Sequence, residues 1–114
     1  MDAIDGDKLR GHLETLILAT LEKGEGHGLQ ILRRLEEGGC GLLKLKEGSL
    51  YPALYRLESA REIVGVWEKE QAGRRGARRR IYRLTTKGNR KLQRGRGEWQ
   101  TFVATLGQIL ALPA

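Results

Sequence analysis

Apolar positions recur along the chain in two periods, helical at both ends and extended between them. Over residues 8–23, Leu9, Leu13, Leu16, Ile17 and Leu21 follow the i, i+4, i+7, i+8 spacing of a helix with one buried face. Asp7 is placed to cap its start and Gly24 to stop it. Thr20 falls on the apolar face, where its hydroxyl can bond back to a carbonyl one turn earlier. Residues 24–28 read as a turn, with His27 a turn or cap residue. Residues 28–37 predict a second helix with Leu29, Ile31, Leu32 and Leu35 apolar, ended by Gly38 and Gly39. The glycine-rich connection over 38–48 is expected to bury Leu42, Leu43 and Leu45.

A third helix is expected from Ser49, whose hydroxyl suits an N-cap, with Pro52 in the first turn, where a missing N–H costs little. Leu50, Ala53, Leu54 and Leu57 make its apolar stripe, and Tyr51, Tyr55 and Arg56 lie off it and face outward. Two short helices joined by a turn, the second carrying phenols and a guanidinium, match a helix-turn-helix with a rather long turn.

From Arg61 the composition becomes β-branched and aromatic. Ile63, Val64, Val66 and Trp67 predict one strand and residues 80–85 a second. Between them lies a glycine-punctuated tip carrying Arg74, Arg75, Arg78 and Arg79. Thr85 or Thr86 then caps a last helix in which Leu92, Trp99 and Leu106 are seven apart and Gly95, Phe102 and Ile109 form the companion row, widened by Val103 and Leu110. A helix of about 25 residues is roughly 37 Å long, more than three short helices and a hairpin can cover. A partner helix from a second copy is the simplest cover. Gly95 and Gly97 either kink this helix or leave room beside Trp99.

Charge sharpens the picture. The net charge of +7 is unevenly placed: residues 1–60 hold eight Lys/Arg against ten Asp/Glu, residues 61–96 thirteen against three, and residues 97–114 only Glu98. A localised basic surface suits phosphates, and it suits an acidic protein partner too. The solitary Cys40 excludes an internal disulfide and fits a reducing compartment. The acidic start lacks a hydrophobic signal region and no apolar run approaches a membrane span, so a cytoplasmic protein is expected.

Enzymatic chemistry finds no footing. Every aspartate lies in the first seven residues, and serine occurs only at 49 and 59. No nucleophile–base set, carboxylate dyad or Walker loop can be assembled, and neither histidine has a metal-ligand partner at useful spacing. The glycines at 24, 26 and 28 superficially suggest a dinucleotide loop, but a helix precedes them and Leu29 stands where a third glycine is needed. No cofactor is expected.

Gly48-Ser49-Leu50-Tyr51-Pro52-Ala53-Leu54-Tyr55-Arg56-Leu57-Glu58, then Trp67, then Arg80-Ile81-Tyr82-Arg83-Leu84-Thr85-Thr86-Lys87-Gly88, resembles the signature of the PadR family over residues 9–110. His27-Gly28-Leu29-Gln30-Ile31 is similar to that family's second helix, which usually has an aromatic where Leu29 stands. Two features depart from the pattern: Arg61 and Glu62 replace the usual glycine and apolar residue after the third helix, and the wing is richer in arginine.

The resemblance implies a mostly α fold with a two-stranded β-wing: a winged helix-turn-helix DNA-binding domain over 1–85 and a long C-terminal dimerisation helix over 86–114. It implies a homodimeric regulator, usually a repressor, on a palindromic operator in double-stranded DNA, released in many members by a small aromatic or cationic effector. Ser49, Tyr51, Pro52, Tyr55 and Arg56 are then the groove residues and the four tip arginines the phosphate contacts. Leu92, Trp99, Phe102, Val103, Leu106, Ile109 and Leu110 are expected at the dimer interface, with Trp99 also where a planar ligand would stack. The rival reading is a basic interaction module that docks an acidic protein without DNA sequence preference.

Overall fold

The computed structural model describes residues 11–41, 43, 45–69 and 78–113. Helix α1 (Leu13–Glu22) is buried through Ile17, Leu18 and Leu21. It starts later than its sequence pattern suggests, because Gly11 takes a left-handed turn (φ 86°) and His12 becomes the N-cap; Asp7 and Leu9 lie outside the described residues. Thr20 is buried, and its hydroxyl donates to the Ile17 carbonyl at 2.8 Å, as expected of a threonine on an apolar face.

Residues 24–28 are more than a turn. Gly26–His27 form a short strand β1, and helix α2 (Gly28–Gly38) starts directly after it. His27 closes a capping box: its Nδ1 accepts from the Gln30 N–H at 3.3 Å, and its own N–H donates to Gln30 Oε1 at 3.0 Å. Leu43 and Leu45 are buried in the connection that follows, as their apolar character requires; Leu42 lies outside the described residues.

Helix α3 (Glu47–Ser59) begins two residues before Ser49, with Lys46 at the extended N-cap position and no side-chain cap bond. Ser49 is therefore the third helical residue and Pro52 the sixth, inside the helix rather than in its first turn. The carbonyl that Pro52 leaves without its helical donor is that of Gly48. The stripe is as read: Leu50, Ala53, Leu54 and Leu57 are all essentially fully buried.

The end of α3 settles the missing glycine. Arg61 itself adopts the left-handed conformation (φ 62°), and a Schellman motif closes around it: Arg61 N–H donates to the Glu58 carbonyl and Glu62 N–H to the Leu57 carbonyl, both at 2.9 Å. Cys40 (φ 53°) and Ala111 (φ 56°) play the same part after α2 and the last helix.

The sheet has three strands in the order β1-β3-β2, all antiparallel, where the sequence showed two. In β2 (Ile63–Trp67) and β3 (Arg80–Leu84), Ile63 faces Leu84, Gly65 faces Tyr82 and Trp67 faces Arg80; β1 adds Gly26 opposite Tyr82. Tyr82 is thus central and buried, and desolvation, then the Glu58 charge, pushes its phenol above the usual tyrosine range.

Helix α4 (Thr86–Ile109) is capped by Thr85, whose Oγ1 accepts from the Gly88 N–H at 3.0 Å. It runs through Gly95 and Gly97 as one helix. Gly95 marks a close crossing with α1, since a Cβ there would meet Thr15 Cγ2 at 2.7 Å; its space is taken by α1 rather than left beside Trp99. Around the crossing, Arg96 grips Glu22 with two hydrogen bonds of 3.0 and 2.7 Å. The molecule is elongated, 58 × 32 × 21 Å.

Candidate nucleic-acid interface

The outer face of α3 lies opposite its buried stripe. Because four apolar side chains fix the inner face, Ser49, Pro52, Tyr55 and Arg56 are left exposed, Tyr55 at 74 %. Tyr51 is less exposed, at 43 %, because it leans over the start of α2: a Cβ on Gly28 would stand 2.7 Å from its hydroxyl and 2.8 Å from Cε1. Gly28 thus makes room for the phenol, which joins the two helices of the helix-turn-helix at its open end.

Arg56 is exposed but not isolated. Its Nε lies 3.5 Å from Glu14 Oε2 on α1, a contact that sequence spacing across 42 residues gave no means of finding. Leu29, exposed at 45 %, adds an apolar spot to the surface of α2.

The base of the wing is built as a clamp. Arg80 pairs through Nε and Nη2 with both carboxylate oxygens of Glu58 on α3, and its guanidinium lies 5.2 Å from the Trp67 ring centre. The Glu58 hydrogen bond, working against desolvation, raises the already high pKa of Arg80. Arg80 is therefore spent on orienting the hairpin against α3. Arg78 and Arg79 are exposed beside it, and Arg79 N–H donates to Glu68 Oε1 at 3.1 Å, with its Nη1 3.4 Å from His27 Nε2. Arg74 and Arg75 lie outside the described residues. Arg34 ties down the β1 approach by donating to the Gly24 and Glu25 carbonyls at 2.9 and 3.0 Å.

The second half of α4 carries an apolar stripe on its surface. Trp99, Phe102, Val103, Leu106, Ile109 and Leu110 are between 39 and 76 % exposed. Leu92, grouped with them by the heptad, is a correction: it is fully buried in the core of its own chain, because the stripe passes from core to surface at the Gly95 crossing. Trp99 stacks on Phe102 with ring centres 5.3 Å apart and meets the edge of His12 at 4.7 Å.

Among the described residues no group of three or more His, Cys, Asp or Glu is placed to hold a metal ion, and no helix is long and apolar enough to cross a membrane.

This geometry has close counterparts. A transcriptional regulator from Clostridium thermocellum is 28 % identical, covers 90 % of this chain and 97 % of its own, and superposes with a TM-score of 0.81. A PadR family transcription regulator from Clostridium difficile is 34 % identical over 88 % of this chain and 99 % of its own, TM-score 0.75. A PadR-like transcriptional regulator from Bacillus cereus is 28 % identical over 92 and 97 %, TM-score 0.75. The model of the PadR-like transcriptional regulator family matches residues 17–94, which contain α2, α3, the wing strands and the capped start of α4. The chain belongs to the PadR-like family of transcriptional regulators: it is a winged-helix, DNA-binding regulator and not an enzyme.

Proposed function

We propose that the chain is a cytoplasmic repressor that binds a palindromic operator as a homodimer and is released by a small aromatic or cationic compound. The observation that carries this reading is the division of α4. Its first half is locked to α1, and its second half offers six large apolar side chains to the surface. Burying a side chain of this kind is worth roughly 1.5–3 kcal/mol, so a second α4 is the favoured cover. Residues 86–114 then act as the dimerisation helix and residues 1–85 as the DNA-binding domain.

A rigid pair of α4 helices would set the two α3 helices at a fixed spacing, as a two-fold operator requires. Ser49, Tyr51, Pro52, Tyr55 and Arg56 enter or edge the major groove, and Arg74, Arg75, Arg78 and Arg79 hold phosphates. Trp99, half exposed between His12 and Phe102, is the stacking surface for a planar effector, whose binding would alter the half-site spacing.

The test is a selection of duplexes from a random pool, followed by binding to the recovered duplex and to a shuffled version of it. Replacing Tyr51 with Ala is expected to weaken the selected duplex more than the shuffled one. Equal losses on both would remove Tyr51 from sequence reading. A monomeric protein with no preference between the two duplexes would overturn the whole reading.

A further inference from the structure

Four ionised side chains from separate parts of the fold stand in a row of alternating sign. Lys91 Nζ on α4 donates to Glu62 Oε1 and to Glu14 Oε1, each at 3.1 Å. The second oxygen of Glu14 faces Arg56 Nε at 3.5 Å. Side-chain exposure rises along the row from Glu62 at 10 %, through Lys91 and Glu14 at 30 and 31 %, to Arg56 at 57 %. The row is therefore anchored at its buried end and open at Arg56. Burial acts to lower the Lys91 pKa, but the hydrogen bonds it donates to Glu14 and Glu62, together with their charges, outweigh burial and raise it, so the ammonium that fixes Glu14 stays charged.

How Arg56 is held matters more than that it is held. A guanidinium reads guanine or grips phosphate with paired donors along one edge. Glu14 stands 3.5 Å from Nε as an ion pair, and Nη1 and Nη2 make no hydrogen bond among the described residues. A long side chain on an exposed helix face would otherwise sample many rotamers. Here one nitrogen lies within ion-pair distance of a carboxylate that is itself braced by Lys91.

We propose that Glu14 is a positioning residue for Arg56: it orients the terminal nitrogens toward the groove and so makes Arg56 a reader of sequence rather than a loose phosphate contact. This rests on the reading that the outer face of α3 meets DNA. The two consequences of a carboxylate at this site oppose each other. Its charge repels any duplex, and its grip on Nε favours only the duplex whose bases suit the oriented fork.

The full-length chain with Glu14→Gln tests this, using the duplex selected by the unaltered protein and its shuffled version. Affinity for the shuffled duplex is expected to rise two- to fivefold as the negative charge goes. The selected-to-shuffled ratio is expected to fall about tenfold, within the range of one bidentate base contact. In an Arg56→Ala background, where the ratio is already reduced, Glu14→Gln is expected to lower it no further. Glu14→Asp keeps the charge and shortens the reach, so it is expected to lower the ratio while leaving shuffled-duplex affinity as it was. A merely structural Glu14 would weaken both duplexes together and would add its loss to that of Arg56→Ala; either result overturns the proposal. So does an unaltered ratio in both Glu14 variants. An unaltered protein that fails to discriminate the duplexes overturns the DNA reading itself, which a lost ratio in the variants alone does not.

Discussion

Arg61 is the sharpest place to perturb the fold, because its backbone is the corner through which α3 hands the chain to the wing. A side chain held at φ 62° sits in a region that costs an ordinary residue about 1–2 kcal/mol. Glycine removes that cost and adds back about 0.5–1 kcal/mol of unfolded-state entropy. Arg61→Gly is therefore expected to stabilise the protein by about 0.5–1 kcal/mol, a rise in Tm of roughly 2–5 °C for a chain of this size. The bonds around the corner use main-chain atoms and survive the change: Thr85 Oγ1 donates to the Arg61 carbonyl at 2.8 Å, and Lys87 Nζ to the Ala60 carbonyl at 2.7 Å. Arg61→Ala is the control, since it removes the same charge and keeps the Cβ. Thermal unfolding followed by circular dichroism, at one protein concentration for all variants, reads the difference. If the Ala variant gains as much as the Gly variant, charge rather than backbone strain governs this corner, and the argument fails.

Gly28→Ala is expected to push the Tyr51 ring off the start of α2, because the new methyl would sit 2.7 Å from its hydroxyl. The fold should persist while discrimination between selected and shuffled duplexes falls to the level of Tyr51→Ala; full discrimination would show that this seat is irrelevant. The Glu22–Arg96 pair predicts a pH effect. The Arg96 hydrogen bond, opposed by desolvation and helped by the Arg96 charge, Gln93 and Lys23, holds the Glu22 carboxyl below its ordinary value of 4.5. A depressed carboxyl stabilises above its unfolded pKa and ceases to as pH falls through its folded pKa. Glu22→Gln should thus melt below the unaltered protein near pH 7, and the gap should narrow as pH falls below 4.5, so a gap that stays constant into acid refutes the linkage.

The apolar rhythm made much of the fold legible. The stripe of α3 and both wing strands stand where periodicity placed them, since each is set by side chains along one segment, whereas Leu29 of α2 is exposed and Leu92 of α4 is core. What could not be read depends on partners distant in sequence. β1 is two residues without a strand signature, and only β3 beside it gives its backbone a ladder. The start of α3 moved from Ser49 to Glu47 because an N-cap is a preference and the backbone at Lys46 was already extended. Leu92 and Leu106 fall in one heptad row, yet only the crossing at Gly95 determines that one is core and the other surface. For the candidate site, the exposure of Tyr55 and Arg56 follows from their position opposite the stripe. The contacts of Arg56 with Glu14 and of Tyr51 with Gly28 do not, because they belong to the packing of helices against one another.

In the proposed dimer the crossing at Gly95 also separates α4 into lengths that answer to different dilutions. A lesion at Leu92 is felt by a solitary chain however thin the solution. A lesion at Ile109, 76 % exposed in the single chain, is felt chiefly where chains meet, so the melting temperature of such a variant should converge on that of the unaltered protein as both are diluted into the monomer.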